Sequence, residues 1–174
     1  MKCPIIDAHT RIICDENDFA GVREVAEWVR NDLRLVFGDR VSDSGEGTTI
    51  LVGSLEKSDL LRVKREEGIL SADGLRNEDG SIKREVYRVD LVKEGDADRI
   101  VIQGADKRGT MYGLLAVSES CGVSPLVNWS GAKPAARDKI SLSESFFGIS
   151  KEPSVKYRGI FINDEWPAFG NWVS

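Results

Sequence analysis

The residues with the most to offer chemically lie near the C-terminal end of the sequence, where Asn163-Asp164-Glu165 comes after the apolar run Gly159-Ile160-Phe161-Ile162. An amide beside a carboxylate offers hydrogen bonds to sugar hydroxyls. A carboxylate is also the group that glycoside hydrolysis uses as acid, base or nucleophile, in pairs ~5–5.5 Å apart for retention or ~6.5–9.5 Å apart for inversion. Neighbours in an extended chain point to opposite sides, so Asp164 and Glu165 cannot flank one bond together. Asp164 is the candidate catalytic carboxylate, with Asn163 and Glu165 as candidate substrate-binding residues. The alternative for all three is structural: a polar triplet that ends a strand or caps the next element.

Other chemically suggestive residues are more ambiguous. Asp106-Lys107-Arg108-Gly109 precedes a helical pattern, and the free N–H groups of a helix start attract anions. Lys107 and Arg108 could add charge toward a uronate carboxylate, while the plainer reading is an Asp106 N-cap with a tight glycine turn. His9 is the single histidine and has no nucleophile pattern nearby, which points to a local hydrogen bond. Gly104 and Gly109 lack the G-x-G-x-x-G spacing of a dinucleotide site. Cys3, Cys14 and Cys121 are odd in number and show no C-x-x-C pairing, so no metal or other cofactor is expected and buried free thiols are. Trp129, Trp166 and Trp172 could stack on sugar rings or mark surface that another element covers.

Composition sets the outer limits. With 41% hydrophobic and 30% charged residues, a chain of 174 residues can close one core, whereas a complete (β/α)8 barrel takes about 250 residues. A net charge of −5 argues against nucleic acid or an anionic membrane as partner. The dense basic run Arg62, Lys64, Arg65 is followed at once by Glu66 and Glu67, as on a solvated helix face. No apolar run approaches the ~20 residues of a membrane span, and Met1-Lys2-Cys3-Pro4 leads into Asp7 and His9 rather than a signal-peptide core. The cellular compartment stays open.

The elements that must position these residues can be read from periodicity. Val22, Val25, Ala26, Val29, Leu33 and Val36 recur at helical spacing between Phe19 and Phe37, with Asp18 placed as N-cap and Gly38 as stop. Strands are expected on either side, at Thr10 to Cys14 and Thr48 to Gly53, making a βαβ-like opening. Ser58 to Glu67 reads as a short surface helix. Glu85 to Val92 and Arg99 to Gly104 read as a hairpin across Gly95-Asp96. A second long helix is expected from Lys107 to Cys121, burying Met111, Leu114, Leu115 and Val117. From Pro125 to Pro153 the chain reads as a wrapping linker with a short strand near Lys139 to Leu142. Ser154 to Asn163 reads as a strand apolar on both faces, of the kind found inside parallel sheets and barrels.

Two stretches carry a family likeness. Ile100 to Leu114, with its strand, Asp-x-x-Gly turn and Tyr112-Gly113 helix, resembles N-terminal domains that precede barrels in several carbohydrate hydrolase families. Gly122-Val123-Ser124-Pro125 followed by Glu152-Pro153-Ser154-Val155-Lys156-Tyr157-Arg158-Gly159-Ile160-Phe161-Ile162-Asn163-Asp164-Glu165 resembles the family 115 α-glucuronidases in order and spacing. One departure is Leu126-Val127-Asn128-Trp129, where the family usually carries a run rich in tryptophan and tyrosine. The resemblance implies removal of glucuronic or 4-O-methylglucuronic acid side groups from xylan, with glucuronoxylan or its oligosaccharides as partner; relatives of the family are often secreted.

The combined expectation is an α+β fold. It has a mixed sheet of about four or five strands, two main helices packed on one face, and then a stub of a (β/α)8 barrel. Residues 1–150 form the accessory domain, and residues 151–174 form a linker and first barrel strand. The 174-residue chain by itself is expected not to hydrolyse xylan, because the partner carboxylates lie on later strands. Exposed apolar residues near the C-terminus are expected to favour a dimer. A free-standing carbohydrate-binding or protein-interaction module, and an unrelated α+β domain, are the competing readings.

Overall fold

The structure is a computed structural model, and it describes residues 4–42, 47–95 and 97–161. In chain order the elements are β1 (Ile5–Asp7), β2 (Arg11–Cys14), α1 (Ala20–Phe37), β3 (Thr49–Ser54), α2 (Asp59–Glu66), β4 (Tyr87–Glu94), β5 (Ala97–Gly104), α3 (Lys107–Ser120), α4 (Val127–Ser130), β6 (Lys139–Ser141) and β7 (Gly148–Ile149). The main sheet has five strands in the order β2-β3-β5-β4-β7. β2, β3 and β5 run parallel, with Ile12 opposite Ile50 and Ile50 opposite Ile100, and β4 and β7 add to the β5 side antiparallel. The mixed sheet and the βαβ opening are therefore as the periodicity predicts.

The period of two along each strand decides which helix covers which face. Ile50, Val52, Ile100 and Ile102 point to one side, where Val22, Val25, Val29 and Leu33 of α1 and Leu114 and Val117 of α3 close over them. Leu51 and Val101 point to the other side and meet Leu61 of α2 and Leu70. Each such aliphatic side chain, once fully buried, contributes about 1.5–3 kcal/mol. The two long helices share one face, and the shorter α2 covers the opposite one. Its Ser58 N-cap accepts a hydrogen bond from the Leu61 N–H at 3.2 Å.

Several details differ from the pattern. α1 starts at Ala20 with Phe19 as its cap, without a side-chain cap, because the expected cap Asp18 is committed to Ser54 on β3. In α3, Leu114 and Val117 are buried, but Leu115 is 36% exposed and Met111 only partly buried, since the helix faces the sheet with a narrow stripe. In the region read as a linker, the short strand expected near Lys139 to Leu142 is β6, which pairs with β1 through Ile6 and Ile140, and β7 adds a pairing with β4 that the sequence does not signal. A strand of two residues carries too little alternation to be read. No strand forms over residues 151–161. A strand apolar on both faces needs neighbours on both sides, and none of the described residues supplies them. The expected barrel stub otherwise falls on residues 162–174, outside the described residues.

Candidate functional site

Residues 150–161 form an arm along the edge of the sheet, and one buried carboxylate organises its attachment. Glu85 lies just before β4 with its side chain 1% exposed. One carboxylate oxygen accepts from the Arg108 guanidinium of α3 at 2.9 Å, and the other accepts from the Arg158 guanidinium of the arm. Those bonds, that of Arg158 first, hold the Glu85 carboxyl below the ordinary range even though burial pushes the other way. Each oxygen accepts from a guanidinium, so the Glu85 carboxylate is committed to tying Arg108 and Arg158 together.

The backbone around Glu85 is arranged for this contact. Glu85 has φ of 61°, the only positive φ of a non-glycine residue among the described residues. That conformation brings Cβ close to the carbonyl and costs an ordinary residue about 1–2 kcal/mol. Its N–H donates to Asp106 Oδ2 at 3.0 Å, while Asp106 Oδ1 caps α3 by accepting from the Gly109 N–H at 2.7 Å. Ala105 N–H donates to the Val86 carbonyl at 2.8 Å. A Cβ on Gly109 would lie 2.1 Å from that same carbonyl, so only glycine allows α3 to start this close to the loop.

The Asp-Lys-Arg-Gly motif thus resolves in favour of the N-cap. Asp106 itself fills the anion position at the helix start, and Arg108 is turned to Glu85 rather than outward to a ligand. Glu85 does not stand out in the sequence, where it reads as the first residue of an alternating strand. Nothing local marks a residue for positive φ when it is not glycine, asparagine or aspartate.

Further contacts hold the arm before Arg158. Ser150 N–H donates to the Tyr87 carbonyl at 2.8 Å, and its hydroxyl accepts from the Tyr87 N–H at 2.9 Å. Arg84 donates from its N–H to Glu152 at 3.1 Å and from its guanidinium to the Pro153 carbonyl at 3.1 Å. Tyr87, Tyr112, Leu115, Ser118, Asp32 and Pro125 line a half-open cleft of about 340 Å³. Burial pushes the Asp32 carboxyl up there.

The predicted site residues Asn163, Asp164 and Glu165 lie outside the described residues, as do Trp166, Trp172 and Cys3. His9 is exposed and donates its backbone N–H to Asp7 at 2.9 Å. Among the described residues no group of His, Cys, Asp and Glu could hold a metal ion. Burial pushes the Cys14 thiol up to about 11 and the Cys121 thiol up to about 12, as for structural rather than reactive cysteines. Among the described residues, no helix is long and apolar enough to cross a membrane.

The described residues form an α+β domain with the arm tied to one edge of its mixed sheet. Residues 150–174 match the model of Glycosyl hydrolase family 115. Among solved structures the chain is similar to BtGH115A, described as a family GH115 4-O-methyl-α-glucuronidase with specificity for decorated arabinogalactans. The TM-score is 0.74 and the identity 28%, over 97% of this chain and 21% of that one. No curated protein matches the chain. The chain spans about a fifth of the length of BtGH115A.

Proposed function

We propose that the chain is the N-terminal portion of a glycoside hydrolase that removes glucuronic or 4-O-methylglucuronic acid side groups from a polysaccharide such as xylan. The observation that carries this reading is the likeness to BtGH115A over 97% of the chain, together with the family match on the arm. The name of that relative points to decorated arabinogalactan, so the uronate side group is the firmer part of the substrate and the backbone sugar the weaker part. In this reading residues 1–150 are the accessory domain and residues 151–174 the linker and first strand of a catalytic barrel. Asp164 supplies one catalytic carboxylate, and Asn163 and Glu165 bind the sugar.

A single useful carboxylate cannot complete the acid and base pair, so the 174-residue chain by itself is inactive. The test assays glucuronic acid release from glucuronoxylan and from uronate-decorated arabinogalactan. It compares the purified chain with a longer polypeptide that continues past Ser174. Release by the longer form alone, lowered at least about a hundredfold by Asp164→Asn, supports the reading. Release by the 174-residue chain overturns it.

A carbohydrate-binding module is the second reading. It is favoured by the cleft of about 340 Å³ whose tyrosines, Tyr87 and Tyr112, could stack on a sugar ring. Saturable binding of xylan oligosaccharides, lost in Tyr112→Ala, would support it. Tyr157, Ile160 and Phe161 are 85%, 82% and 90% exposed, which supports a dimer through the arm; sedimentation that stays monomeric at high concentration removes that proposal.

A further inference from the structure

We infer that Glu85 is a positioning residue, which through Arg158 fixes the arm on the domain and so acts on the catalytic carboxylate six residues further along the sequence. This rests on the reading of Asp164 as a catalytic carboxylate. The geometry behind it is a chain of fixed contacts. Asp106 ties the Glu85 N–H to the start of α3, and Arg108 takes one carboxylate oxygen. The second oxygen is left for Arg158.

The burial is asymmetric in a telling way. The Glu85 side chain is 1% exposed, whereas Arg108 and Arg158 are 63% and 38% exposed. The fixed half of the contact belongs to the domain and the adjustable half to the arm. Arg158 also donates to the Val155 carbonyl at 2.8 Å, which shapes the arm locally. Among the described residues beyond Pro153, the hydrogen bond from arm to domain runs from Arg158 to Glu85. Val155, Tyr157, Ile160 and Phe161 are largely exposed, so apolar packing does not fix the arm in their place.

Glu85 holds φ of 61°, a conformation that glycine adopts without steric strain. Its side chain makes two contacts that glycine could not, to the guanidiniums of Arg108 and Arg158. Arg158 precedes Asp164 by six residues in the sequence. A displacement of about 1 Å at a reacting group can cost a hundredfold in rate, so an anchor six residues from the carboxylate in sequence affects turnover more than substrate binding.

Two measurements test the assignment on Glu85→Gln, Arg158→Gln and the double variant. The first is the rate of chymotryptic cleavage after Tyr157 in the 174-residue chain. About tenfold faster cleavage in each single variant, with the double variant no faster than either, is expected. Unchanged cleavage overturns the latch. Arg158→Gln sits on the exposed arm, so it remains informative if Glu85→Gln fails to fold.

The second is steady-state kinetics of the longer polypeptide on glucuronoxylan. A fall in kcat of about tenfold or more with KM within about twofold is expected. Faster cleavage with unchanged kcat overturns the positioning role and leaves Glu85 a structural tie. A wild-type longer polypeptide that releases no glucuronic acid overturns the function reading, and the positioning role with it, whatever the proteolysis shows.

Discussion

The Asp18 carboxylate, at the entry to α1, accepts the Ser54 N–H at 2.5 Å and the Ser54 hydroxyl at 2.8 Å across 36 positions of sequence. Both residues are buried, at 4% and 0% exposure. The contact ties the entry of α1 to the C-terminal end of β3. Asp15 does the same one step along, accepting from the Ser58 hydroxyl at 3.2 Å and the Leu60 N–H at 2.7 Å. Asp18→Ala leaves a buried N–H and hydroxyl without their acceptor. A loss of about 3 kcal/mol in urea unfolding is expected, with Ser54→Ala milder because the backbone bond survives.

Gly109 carries a second prediction. An alanine there would place its Cβ against the Val86 carbonyl at 2.1 Å. The carbonyl is backbone and cannot rotate away, so α3 must back off from the loop that presents Glu85. Gly109→Ala is expected to cost about 2–3 kcal/mol despite alanine's better helix propensity. A thermal midpoint equal to or above wild type would contradict the close approach.

The Glu85 contact also has a signed pH dependence. Its carboxyl is held below the usual value of 4.5, by Arg158 first and Arg108 after burial's opposing effect. The unfolded chain therefore binds that proton more readily than the folded one. The stabilisation is present in full above the ordinary carboxylate range and is lost as pH falls through the lowered folded value. At pH 7, Glu85→Gln is expected to lose about 1–2 kcal/mol, at the lower end for a buried charge because both arginines keep access to water. Thermal denaturation of both proteins over descending pH checks this: the gap should persist through weak acid and close only below the carboxylate range.

Local signals are strong where one short stretch carries a whole period. α1, with six apolar residues at helical spacing, and the β4-β5 hairpin around Gly95 are legible from neighbouring residues alone, as are the Asp106 cap and its glycine. The likeness to family 115 rests on motifs that match in order, and the family match on the arm and the likeness to BtGH115A agree with it. The strands β1 and β7 are not legible in this way, because two or three residues pair only when a distant partner arrives.

By itself the sequence determined the main helices and the longer strands, because hydrophobic periodicity is a property of neighbouring residues. The tertiary structure decided what the polar residues do. Asp18 has the position of a helix cap and serves as a tie from the entry of α1 to the end of β3, and Arg108 has the position of an anion ligand and serves as a partner of Glu85. Glu85 has the place of an ordinary strand residue and serves as the anchor of the arm. A charged side chain takes its role from the counter-charge and the burial it meets, and for Glu85 the decisive counter-charge is Arg158, 73 positions away in the chain.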